Sequence, residues 1–78
     1  MTLTIKYYGP FVDLMKKKEE IRPLPAATTV QGIRDALISF YPQLGETAFQ
    51  IAVNHEFVSE DWVVDQDAEI ALFPPTQS

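Results

Sequence analysis

Only one stretch of this chain carries a helix-length apolar stripe, and that limits the folds open to it. Val30, Ile33, Leu37 and then Phe40 and Tyr41 recur at helical spacing, with Gln31, Asp35 and Ser39 opposite. Thr28-Thr29-Val30-Gln31 predicts the start: Thr28 accepts from the Gln31 amide, and the Gln31 side chain reaches back. Pro42 predicts the stop. Gly32 inside the helix costs about 1 kcal/mol against alanine. It is either tolerated there or needed for close packing against a strand. A lone amphipathic helix must bury its stripe on something else, and the rest of the sequence supplies strands.

Residues 2–8 alternate, with Leu3, Ile5 and Tyr7 on one face and Thr4, Lys6 and Tyr8 on the other. Gly9-Pro10 breaks this strand. In residues 11–18, Phe11, Leu14 and Met15 predict a short helical turn, and its basic end, Lys16-Lys17-Lys18, suits the negative end of a helix dipole. Residues 19–24 predict a second strand, placed at a sheet edge because Pro23 donates no ladder hydrogen bond. Phe49, Ile51 and Val53 alternate again, Asn54-His55-Glu56 turns, and Phe57-Val58 resumes a strand. Asp65-Gln66-Asp67 is a further turn before a last strand at residues 69–73. There Ile70 and Leu72 face one way and Ala71 and Phe73 the other. The sum is an α+β fold: a single mixed sheet covered on one face by one main helix.

Composition removes several classes of function. At 78 residues there is room for one core, and 46% hydrophobic content argues against disorder. The absence of cysteine excludes disulfides, thiolate metal sites and a cysteine nucleophile, and one histidine excludes a site needing two imidazoles. A net charge of −5 argues against nucleic acid as a partner. No apolar run reaches the roughly 18 residues of a membrane span, and the N-terminus does not read as a secretory signal. The expected compartment is the cytoplasm.

The candidate chemical groups read mostly as structural. His55 sits in a strand-to-strand turn beside Asn54 and Glu56, without the pocket and orienting partner that acid–base catalysis needs. Asp65, Asp67 and Glu69 open like a calcium loop, but Ile70 stands where the loop requires glycine. The expectation is therefore no catalytic residue, no metal ligand and no cofactor site. Tyr8 and Phe73 are more informative. Each points away from the core-facing residues of its strand, near the strand's C-terminal end. If the two strands are parallel neighbours, the rings form one exposed apolar patch of the kind that marks a contact surface. Pro74-Pro75 beside it holds the emerging tail extended.

Ile51-Ala52-Val53-Asn54-His55-Glu56-Phe57-Val58-Ser59, followed by Asp65-Gln66-Asp67-Ala68-Glu69-Ile70-Ala71-Leu72-Phe73-Pro74-Pro75, resembles the MoaD/ThiS sulfur-carrier family. That family includes the small subunit of molybdopterin synthase, and the order of elements matches over nearly the whole chain. The resemblance implies a ubiquitin-like β-grasp fold with parallel first and last strands, residues 1–75 forming the domain and 76–78 a flexible C-terminal tail. It implies that an E1-like (MoeB-like) enzyme adenylates the C-terminal carboxylate, which is then converted to a thiocarboxylate. The tail would enter a MoaE-like large subunit, which receives the sulfur for the dithiolene of molybdopterin. Carried over, Tyr8, Phe57 and Phe73 match apolar contact positions, and Pro74, Pro75, Thr76, Gln77 and Ser78 match the inserted tail.

Carriers of the family end in Gly-Gly, which passes through a narrow channel without side chains. This sequence has Thr76-Gln77-Ser78 instead, and its short first helix lacks the family's Arg-Glu-Leu opening and its nearby glycine. Three accounts of the ending remain open: a truncated form, a form matured by another route, or a divergent paralogue. In the last case the alternative function is a β-grasp protein-binding module without sulfur transfer.

Overall fold

The computed structural model describes residues 1–75. Its elements run β1 (Thr2–Tyr7), α1 (Pro10–Met15), β2 (Glu19–Pro23), β3 (Thr28–Thr29), α2 (Val30–Phe40), a 3₁₀ turn (Pro42–Glu46), β4 (Gln50–Val53), β5 (Glu56–Phe57), β6 (Val63–Val64) and β7 (Ala68–Phe73). Five strands form one sheet in the order β2-β1-β7-β4-β5, and β3 pairs with β6 in a second, two-stranded ladder. The first and last long strands, β1 and β7, are parallel neighbours at the centre, with Leu3 opposite Ala68 and Tyr7 opposite Leu72. The other pairings in the main sheet are antiparallel. As expected of a strand containing Pro23, β2 lies at an edge.

The alternation of β1 and β7 turns Leu3, Ile5, Tyr7, Ile70 and Leu72 toward α2, whose Val30, Ile33 and Leu37 meet them in one buried cluster with Phe11, Phe49 and Ile51. Each fully buried aliphatic side chain here contributes roughly 1.5–3 kcal/mol. Helix α2 starts cleanly because its first three amides are all satisfied. Val30 N–H donates to the Trp62 carbonyl (2.9 Å), Gln31 N–H to the Glu60 carbonyl (2.8 Å) and Gly32 N–H to Thr29 Oγ1 (3.0 Å).

Several sequence expectations are corrected. The N-cap of α2 is Thr29, not Thr28. Thr28 is drawn into the β3–β6 ladder opposite Val64, and its hydroxyl donates to the Pro25 carbonyl (2.6 Å). Helix α1 ends at Met15, so the three lysines do not occupy its last turn. Lys16 takes a left-handed conformation (φ 60°), and Tyr7 N–H then donates to the Lys18 carbonyl (2.9 Å), which starts the β1–β2 ladder. A helix of six residues has only a narrow inner face, so Phe11 and Met15 are buried while Leu14 is exposed. At the far end of the α2 stripe Phe40 is also exposed, lying under the Arg22 guanidinium (4.7 Å). Strand β5 covers 56–57 rather than 57–58, and β7 starts at Ala68.

The two readings of Gly32 are now separable. A Cβ at Gly32 would lie 2.8 Å from Thr28 Cγ2, too close for real packing, so glycine is needed for the approach of α2 to the β3 residue. The Asn54-His55 turn closes β4 onto β5, with both residues at positive φ (49° and 71°) and Val53 paired with Glu56. That is the geometry of a two-residue hairpin turn whose twist matches the strands.

Candidate functional site

The sheet's second face carries no helix. Register puts Lys6, Ala71, Ala52 and Phe57 in one row across β1, β7, β4 and β5. Ala52 and Ala71 are small and buried at the centre. Tyr8 and Phe73, each at the end of its strand, stack face to face with centroids 4.8 Å apart and planes within 4°. Phe57 meets Phe73 edge-on at 5.5 Å. The three rings form one continuous surface rather than separate contacts. Phe57 is 61% exposed and Tyr8 37%, while Phe73 is half-buried between them. The structure thus brings together all three aromatic residues singled out from the sequence. Ile21 was missed. It pairs with Thr4 on this same uncovered face and is exposed, extending the apolar surface toward the β2 edge. Its signal was present: in a strand that reads Glu19, Ile21, Pro23 on one side, an isolated isoleucine faces water.

Charge borders the rings. Lys6 Nζ lies 3.0 Å from Glu69 Oε1, and His55 Nε2 lies 2.8 Å from Glu69 Oε2. The Glu69 carboxylate holds the Lys6 ammonium above its ordinary value, chiefly through this hydrogen bond. The chain leaves the patch at Pro74, next to Gly9. Gly9 sits at φ +60°, which a side chain rarely allows, and a Cβ there would lie 3.7 Å from Pro74 Cδ. Pro74 and Pro75 therefore leave from beside the Tyr8–Phe73 stack. The expectation for Thr76, Gln77 and Ser78 lies outside the described residues.

A second polar constellation fastens the β2 edge to the end of α2. Glu20 Oε1 accepts from Tyr7 Oη (2.6 Å), and Glu20 Oε2 accepts from Lys17 Nζ (2.8 Å) and Tyr41 Oη (2.7 Å). Tyr41 Oη also accepts from Arg22 (2.6 Å). Burial pushes the Glu20 carboxyl up, but the hydrogen bonds from Lys17, Tyr7 and Tyr41 together outweigh it and hold the group down at about 2. Burial, then the bond to Glu20, pushes the Tyr7 phenol well up. This is a clamp: both Glu20 oxygens accept hydrogen bonds, and Arg22 Nε, which makes none, lies 3.5 Å from Glu20 Oε2 as an ion pair.

Among the described residues no polar or charged residue is fully buried, and no group of three or more His, Asp or Glu is arranged to hold a metal ion. No described helix is long and apolar enough to cross a membrane. What the arrangement offers is recognition: a flat aromatic surface, a charged border and a stiff exit for the chain.

A five-stranded mixed sheet with parallel β1 and β7 at its centre and one main helix on one face defines the ubiquitin-like β-grasp class. Within that class, the ThiS family model matches residues 5–77, and the chain belongs to the ThiS family. It is 27% identical over 79 residues to the molybdopterin synthase sulfur carrier subunit of Caenorhabditis briggsae, covering 96% of this chain and 94% of that one. Among solved structures it is similar to molybdopterin converting factor subunit 1 from Pyrococcus furiosus, with a TM-score of 0.88 at 23% identity over 97% of this chain and 99% of that chain. It is also similar to a chain in the complex of subunits 1 and 2 of the Helicobacter pylori molybdopterin-converting factor, with a TM-score of 0.66 at 20% identity over 100% of this chain and 99% of that chain. At these identities the structural likenesses establish the fold.

Proposed function

We propose that this protein is a MoaD-like small subunit of molybdopterin synthase, a sulfur carrier in molybdenum cofactor biosynthesis that works in the cytoplasm. The observation that carries the reading is the Tyr8–Phe73–Phe57 surface beside the Pro74-Pro75 exit, in a chain of the ThiS family. The aromatic surface docks on a MoaE-like large subunit. Pro74 and Pro75 aim residues 76–78 into that partner's active site. An E1-like, MoeB-like enzyme acts first. The C-terminal carboxylate attacks the α-phosphate of ATP, giving an acyl adenylate and pyrophosphate. A sulfur donor then displaces AMP to leave a thiocarboxylate. The domain supplies docking and direction; the reacting atoms belong to the terminus and to the partners.

Family membership and an uncovered aromatic face support this reading. A second reading is a binding module without covalent chemistry, which would use the same Tyr8–Phe73–Phe57 surface to hold a partner. Incubation with an adenylating enzyme, ATP and a sulfur source decides between them. The carrier reading expects oxygen-to-sulfur replacement at the C-terminus in the intact mass, in this chain or in one extended by two glycines. An unchanged mass in both, with large-subunit binding retained, leaves the binding module.

A further inference from the structure

A second apolar surface lies where the β4–β5 hairpin meets β6. All six lysines and arginines lie within the first 34 residues, whereas eight of the eleven acidic residues lie beyond them. Two of these eight, Glu56 and Asp65, stand where the β4–β5 hairpin meets β6. A cleft of about 180 Å³ opens there. Val53, Val58, Trp62 and Val63 line it together with Glu56 and Asp65, and no lysine or arginine does. Trp62 and Val63 are 51% and 50% exposed although their backbones are fixed: the Trp62 carbonyl accepts from Val30 N–H, and Val63 pairs with Thr29. Two large apolar side chains are thus held half in water beside an apolar floor.

The volume is below the roughly 300–1,000 Å³ of small-molecule sites. It suits one or two side chains of another protein. The acidic border repels nucleic acid and anionic lipid and attracts cations. We propose that this cleft is a docking site for a basic protein segment, one that inserts an aliphatic side chain against Trp62 while flanking lysines or arginines face Glu56 and Asp65. The cleft includes Ala68 at the start of β7, whereas Phe73 ends that strand. Five residue steps, roughly 17 Å, separate the two. The cleft and the aromatic surface meet at β5, where Glu56 and Val58 line the one and Phe57, between them in the chain, belongs to the other. Successive strand side chains face opposite ways, so the cleft does not use the Tyr8–Phe73 stack and stands independently of the function proposed above.

The test uses the whole chain and the synthetic peptide Arg-Lys-Leu-Leu-Lys-Arg. Trp62 is the sole tryptophan, so its fluorescence reports directly on the cleft. Saturable binding is expected, with a blue-shifted emission and amide chemical-shift changes concentrated in residues 53–68. Calorimetry should show affinity reduced at least tenfold in Trp62→Ala and also reduced in the double variant Glu56→Gln, Asp65→Asn. Tyr8→Ala should bind the peptide as the parent does. Both cleft variants keep the backbone hydrogen bonds, and thermal unfolding checks that they fold. The proposal is overturned by no saturable binding at millimolar peptide, by shifts centred on Tyr8 and Phe73, or by unchanged affinity in folded Trp62→Ala.

Discussion

Replacing Glu20 by glutamine tests the clamp at the β2 edge, because it keeps the shape and removes the charge. In the fold the Glu20 carboxyl sits at about 2, against 4.5 for an ordinary glutamate. A group depressed in the folded state adds stability above its unfolded value and loses it as pH falls through the folded one. The clamp's contribution is therefore complete by about pH 6 and fades between roughly pH 4.5 and 2. The full shift corresponds to on the order of 3 kcal/mol at 1.36 kcal/mol per unit. Lys17 and Arg22, its cationic partners, are about one-third exposed and screened by water, so roughly 2 kcal/mol is the better expectation. For a domain of this size that lowers Tm by roughly 8 to 16 °C. Urea unfolding of the parent and Glu20→Gln, followed by far-ultraviolet circular dichroism at pH 7, 4 and 2.5, gives the difference directly. A gap that is wide at pH 7 and mostly closed at pH 2.5 is expected. A gap that stays constant over this range refutes the assignment of the stability to ionised Glu20.

Three further outcomes follow from the same geometry. Thr29→Ala removes the acceptor of the Gly32 amide and should cost about 1 kcal/mol by chemical denaturation, whereas Thr28→Ala should leave that cap intact. Gly32→Ala should destabilise despite alanine's higher helix propensity, because its methyl group would meet Thr28 Cγ2; adding Thr28→Ser, which deletes that carbon, should recover the loss. Above pH 10 the parent should lose stability faster than Tyr7→Phe: the Tyr7 phenol is raised in the fold, so its contribution is present below its ordinary value and declines as pH climbs past it.

The parts of the molecule built on strict periodicity were legible in the sequence. Alternation in β1 and β7 gave both the core residues and the outward placement of Tyr8 and Phe73, since a period of two leaves little freedom once one face is buried. The stripe of α2 and the edge position of β2 were equally plain. What escaped was set by contacts between distant segments. The β3–β6 ladder is only two residues long, too short to leave a pattern, yet it moves the helix cap from Thr28 to Thr29. The 3₁₀ turn that buries Leu44 has no periodic signature either. Leu14 and Phe40 read as core by spacing, but α1 is short and Arg22 covers Phe40 from outside. The Glu20 clamp draws on β1, β2 and the end of α2, so no local window of sequence contains it. The aromatic surface was legible because its members lie on strands; Ile21 is legible only when the faces of β2 are separated, because Glu19 and Pro23 flank it on the same side.

On the proposed function, a large subunit docks on the Tyr8–Phe73–Phe57 face. Calorimetric titration of a molybdopterin synthase large subunit with the parent, Phe57→Ala, Phe73→Ala and Trp62→Ala tests it most directly. Phe57 and Phe73 variants that remain folded should bind weaker by roughly 1–4 kcal/mol, with Trp62→Ala unchanged. Parental affinity in both aromatic-face variants would contradict the account.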